Sequence, residues 1–133
     1  MKKISLLTIF AVIAFVSCSK PEREQTYQLF NNTDADMYYV CILEYFGNDV
    51  IKETNIEGDN IRKFEKGLKS EIFTANEKTE KVKISFKKYN DMVAYLLGVS
   101  NPTYFTVSMF YLNKGKLTTL EMVNSTKIST SRN

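Results

Sequence analysis

Three kinds of side chain could carry chemistry in this sequence. Ser-x-x-Lys occurs at Ser17/Lys20 and Ser85/Lys88. Enzymes that acylate a serine through this pairing place it at the start of a helix, beside S-D-N and K-T-G segments. Neither segment is in the chain, and Ser85 falls in an alternating run that reads as a strand. Paired carboxylates could hydrolyse a glycoside if held roughly 5–9 Å apart. Glu44, Glu53, Glu57, Asp59 and Glu65 are available, but nothing in their spacing fixes a pair, and they read as solvated surface charge. Asn32-Thr33-Asp34-Ala35-Asp36 offers oxygen ligands at alternate positions, as a calcium loop begins. Met37 and Leu43 stand where that loop needs a glycine and a bidentate glutamate, so turn and cap chemistry is the better use. No metal and no cofactor is expected.

The whole composition points the same way. The 133 residues contain no His and no Trp, and two Cys. Without histidine there is no Ser-His-Asp or Cys-His nucleophile and no imidazole acid or base at neutral pH. Two Cys build neither a zinc finger nor a disulfide scaffold. Lys and Arg number 18 against 15 Asp and Glu, a formal +3, too small to imply nucleic acid without a concentrated patch. The length allows one domain.

The lysines that could form such a patch lie between Arg62 and Lys88, interrupted by Glu65, Glu71, Glu77 and Glu80. On the outward face of a strand, lysine commonly guards against edge-to-edge pairing. Lys83 and Lys87 are the candidates for the alternative, an anion-binding face. The eight Tyr and nine Phe must mostly build the core. Tyr38, Phe46, Tyr104 and Phe110 are the candidates for an exposed aromatic surface, which would mark a partner or glycan site.

The N-terminus reads as an address. Lys2 and Lys3 precede an apolar run from Ile4 to Val16, broken only by Ser5 and Thr8. The run is short for a membrane span and fits a secretory signal. It ends Phe15-Val16-Ser17-Cys18. This ending resembles the lipobox of bacterial lipoprotein precursors, with Phe15 where leucine is usual. The resemblance implies cleavage before Cys18 and lipid on its sulfur and new amino group; two or more acyl chains give a stable anchor. Ser19, where aspartate would favour retention at the inner membrane, implies an outer-membrane destination. Residues 1–17 are then the signal peptide and 18–25 a lipidated tether, and losing Lys2 and Lys3 leaves a formal +1. Cys41, alone in an apolar stretch, reads as a small core hydrophobe.

From Tyr27 onward the period is two. Strands are predicted over Tyr27–Asn31, Met37–Phe46, Val50–Ile56, Ile61–Glu65, near Glu71–Ala75, and over Lys81–Tyr89. Met37–Phe46 is apolar on both faces: Met37, Tyr39, Cys41, Leu43 and Tyr45 on one, Tyr38, Val40, Ile42 and Phe46 on the other. Lys81–Tyr89 alternates cleanly, with Val82, Ile84 and Phe86 inward and Lys81, Lys83, Ser85 and Lys87 towards water. Asp91 is placed to N-cap a short helix near 91–97, ended by Gly98 and Pro102. Thr103–Leu112 and Leu117–Val123 are predicted to pair as a hairpin, and the tail 125–133 to fray. Seven or eight short strands indicate an all-β antiparallel sandwich, immunoglobulin-like, over residues 26–124. The layout as a whole resembles small Gram-negative lipoproteins of uncharacterised function. The functional expectation is a non-enzymatic, lipid-anchored envelope module that binds a protein or glycan and no nucleic acid. An immunity or inhibitor lipoprotein and a carboxylate-dependent hydrolase are the alternatives.

Overall fold

Alternating side chains need two sheets to bury one face of each strand, and the chain supplies them. The computed structural model describes residues 24–56 and 62–133. In chain order its elements are β1 (Thr26–Asn32), β2 (Met37–Phe46), β3 (Asp49–Asn55), β4 (Lys63–Phe64), β5 (Phe73–Thr74), β6 (Lys81–Lys87), α1 (Tyr89–Leu96), β7 (Tyr104–Thr106), β8 (Phe110–Tyr111), β9 (Leu117–Val123) and β10 (Ile128–Ser129). The smaller sheet runs β5-β1-β9. The larger runs β10-β7-β6-β2-β3, with β4 joined to β2 and β8 to β6. Among the described residues the fold is an all-β sandwich with one short helix. Strands among the described residues outnumber the seven or eight expected because Thr103–Leu112 divides into β7 and β8 and the tail supplies β10. The lipobox, Cys18 and the tether up to residue 23 lie outside the described residues, as do Glu57, Asp59 and Ile61.

Tyr27 and Leu29 of β1 and Leu120 and Met122 of β9 pack against Val40 and Ile42 of β2 and Val82 and Ile84 of β6. These positions are two apart on each strand, so each strand turns one face inward. The β2 chain departs from strict alternation. Its register against β6 shifts between Tyr38 and Cys41, where Tyr39 adopts φ 50°. A bulge of this kind moves later side chains to the opposite face. The strained residue is braced: its N–H bonds Arg62 O at 3.0 Å, and its ring lies edge-on to Tyr95 and under the Arg62 guanidinium.

Four expectations are corrected. The hairpin between Thr103–Leu112 and Leu117–Val123 does not form. β9 instead pairs in parallel with β1, from Thr26 opposite Leu117 to Asn32 opposite Val123, so the sandwich is not wholly antiparallel. The helix starts at Tyr89 with Lys88 at its N-cap, and Asp91 lies in its first turn without capping it. Its end is a Schellman motif: Gly98 takes φ 73°, Gly98 N–H bonds Tyr95 O, and Val99 N–H bonds Ala94 O. The outward face of β6 is not a water face, because Lys83 and Ser85 are both buried. The cause is the fourth correction. The tail 125–133 does not fray; Ile128 and Ser129 pair with Thr106 and Phe105 of β7. Beyond β10 the chain crosses the outer face of the sheet as a strap. Lys83 Nζ on β6 donates to Arg132 O at 2.7 Å, and Arg132 Nη2 reaches Glu53 Oε1 on β3 at 3.4 Å.

Candidate functional site

The sandwich opens at one end into a cleft of about 570 Å³. The turn Thr33–Asp36 between β1 and β2 forms one lip, and the ends of β6 and β9 with the start of α1 form the rest. Its wall is apolar and aromatic: Met37, Tyr38, Phe86, Tyr89, Met122 and Ile128. The Tyr38 and Tyr89 rings lie 5.9 Å apart at 57°, and Tyr89 is 61% exposed. Polar groups form the rim, namely Asp34, Asp36, Asn124, Thr126 and Lys88. The rim is held by its own bonds. Asn31 Oδ1 accepts from Thr33 N and Oγ1, Asn124 Oδ1 from Asp34 N, and Asp36 Oδ1 from Lys66 N. Asp36 also lies 3.6 Å from Lys63 Nζ. Asp36 and then Glu65 hold the Lys63 ammonium above its ordinary value. The acidic loop therefore performs turn chemistry. Among the described residues no three His, Cys, Asp or Glu side chains gather as a metal set would.

The candidates from sequence do not converge. Tyr38 alone lines the cleft. Tyr104 and Lys87 lie nearby: the Tyr104 ring is 5.9 Å from Phe86 and lies 4.6 Å beneath Lys88 Nζ. Lys87 Nζ donates to Asn101 Oδ1, Pro102 O and Thr103 Oγ1, which uses all three protons of an ammonium. It ties the segment after α1 to β6, and burial lowers its pKa. Phe46 stands exposed at the far end of β2, and Phe110 packs on the core opposite Val82. Lys83 lies beneath the strap. Sequence reasoning missed Tyr89, Met122, Asn124 and Ile128. Tyr89 opens α1, Ile128 opens β10, Met122 is the last residue but one of β9 and Asn124 follows that strand, and such junctions have no periodicity to read.

Two carboxylates considered for hydrolysis are otherwise engaged. Glu44 is fully buried and accepts from Tyr27 Oη at 3.1 Å, Asn76 N at 2.7 Å and Thr79 Oγ1 at 2.7 Å, with Lys52 Nζ at 3.7 Å. Such a carboxylate is a structural clasp between β1, β2 and the loop before β6; it is not solvated surface charge. Glu53 pairs with Arg132. Cys41 is half-buried and free. Burial first, and then the charge of Glu53, push its thiol pKa up, away from the thiolate a reactive cysteine needs.

No protein-family model, curated protein or solved structure matches the chain. Among the described residues no helix is long and apolar enough to cross a membrane.

Proposed function

We propose that this chain is a lipid-anchored, non-enzymatic module of the cell envelope that binds a glycan in the cleft at the open end of the sandwich. The observation that carries the reading is the pairing of an aromatic wall, Tyr38 and Tyr89, with a rim of oxygen and amide groups at Asp34, Asp36 and Asn124. Apolar walls with a few placed polar groups are the usual make-up of a small-molecule site. A pyranose ring offers C–H faces to the tyrosines and hydroxyl protons to the carboxylates, which only accept.

The anchor belongs to the same reading. The lipobox ending in Cys18 supports attachment at the N-terminus. The described chain begins at Glu24, whose carbonyl accepts from Gly115 N at 2.9 Å, at the start of β1. The cleft lies at the other end of that strand, roughly 20 Å away for seven residues. The attachment point and the cleft would then belong to opposite ends of β1.

Two measurements test the proposal. Cells fed a palmitate analogue label the wild type and not Cys18→Ala; equal labelling removes the anchor. Titration with soluble cell-wall and plant oligosaccharides gives saturable binding that Tyr89→Ala weakens about tenfold, roughly 1.4 kcal/mol. Absence of binding across the panel removes the glycan.

A second reading rests on the tip of α1. Tyr95, Leu96, Leu97 and Val99 are all exposed, Leu97 by 74%. A contiguous apolar patch of this kind favours a protein partner, as an immunity or inhibitor lipoprotein would have. Leu97→Asp abolishing capture of a partner, with oligosaccharide binding absent, would favour it over the glycan.

A further inference from the structure

We propose a second binding site, for a small oxyanion such as a carboxylate or phosphate group, on the outer face of the larger sheet beneath the C-terminal strap. A cleft of about 520 Å³ lies there, lined by Tyr45, Asn48, Lys83, Met109, Arg132 and Asn133. The register places Tyr45 opposite Lys81 and Leu43 opposite Lys83, so Tyr45 and Lys83 share this face.

The cleft brings two cationic side chains and a phenol together. Lys83 is only 6% exposed, and its ammonium has a single partner, Arg132 O. An ammonium has three protons to give, so two remain. Tyr45 is 4% exposed, and its buried hydroxyl proton has no acceptor. Leaving a buried hydroxyl unpaired is unfavourable, and native structures rarely tolerate it. The Arg132 guanidinium stands beside this phenol. Its one ion pair, with Glu53, uses one of five N–H donors. Asn133 O is turned to Ser131 Oγ at 3.1 Å, and Asn48 adds an amide. An oxyanion placed between Lys83 Nζ, Tyr45 Oη and the Arg132 guanidinium satisfies all three. Guanidinium matches the planar geometry of carboxylate and phosphate. Met109 and the volume of the cleft leave room for an organic body behind the charged head.

This site is independent of the glycan reading, because it lies on another face and uses none of the same residues. The test titrates the full chain in detergent with inorganic phosphate and, separately, with glucuronate, using chloride as the ionic-strength control. Nuclear magnetic resonance shifts report binding. One of the two anions is expected to bind saturably at about millimolar affinity, and which one does distinguishes phosphate from carboxylate. Tyr45→Phe removes only the hydroxyl. It is expected to keep or raise the thermal midpoint while weakening the anion about tenfold, the size of a hydrogen bond to a charged group. Lys83→Met is expected to abolish saturation. Failure of both anions to saturate on the wild type overturns the proposal. So does saturation that Tyr45→Phe leaves unchanged, since the anion would then be held elsewhere.

Discussion

Glu44 shows what a single buried charge does to this fold. Each of its oxygens has its own donors, Tyr27 on one and the 76–79 loop on the other. An isolated carboxylate would be very costly at that depth; with these donors it welds the two sheets. Tyr27 is the partner with a measurable signature. Burial first, and the charge of Glu44 after it, raise its phenol well above the ordinary value near 10. In the unfolded chain the phenol ionises near that value, while the folded chain retains the proton. Above pH 10 the unfolded state therefore binds fewer protons, and stability falls as pH rises. Below pH 10 the contribution is fully present. Urea unfolding between pH 8 and 11 should show this fall, and Tyr27→Phe should flatten it. At neutral pH the same substitution should cost about 1.5–3 kcal/mol, because Glu44 loses a donor. A Tyr27→Phe chain with the wild-type alkaline slope would assign that slope to another group. Glu44 was half legible in the sequence. Two residues beyond Ile42, it continues the inward series Val40, Ile42, Glu44, yet a glutamate by itself reads as surface. Its donors come from β1 and the 76–79 loop, and no local pattern announces them.

Among the elements, the strap decides which face of β6 meets water. Alternation in Lys81–Lys87 correctly set Val82, Ile84 and Phe86 inward. It could not show that the other face is covered, because the cover comes from residues more than 40 positions later. β10, two residues long, carries no period at all, so its pairing was invisible. The helix was legible to within two residues, since Gly98 and Pro102 punctuate its end. Its start was misread because Asp91 has the right chemistry at the wrong place. The strap hangs on Ile128, half-buried against the core and opposite Thr106. Ile128→Ala should lower stability by about 1–2 kcal/mol, below the range for a fully buried isoleucine. It should also speed amide exchange at Lys83 and Ser85 beyond the global change, because the strap opens before the sheet does. Equal acceleration throughout the sheet would mean that the strap and sheet unfold as one unit.

For the whole molecule, the consequential pairing is between its first and last long strands. β1 and β9 lie about 90 residues apart in sequence and pair along seven positions, so closing the sandwich requires ordering nearly all the chain between them. Leu120 and Met122 of β9 enter the core only through this pairing. The parallel arrangement was not legible, because a half-buried strand shows the same alternation whichever way its neighbour runs. Nearness in sequence favoured the hairpin, and the burial of Leu120 and Met122 against β1 overrode it. A fold closed in this way should unfold in one transition, with far-ultraviolet and tyrosine signals coincident. It should refold in the millisecond-to-second range of β sandwiches rich in non-local contacts. Leu120→Ala should cost about 2–5 kcal/mol. If closure comes late, most of that loss should appear as faster unfolding. A chain ending at Lys116 lacks β9 and β10. It leaves β1 paired on one edge only and the core without Leu120 and Met122, and should show no cooperative melt. A sigmoidal melt from that truncated chain would mean that the larger sheet folds by itself, and that β1 and β9 are added to a finished core.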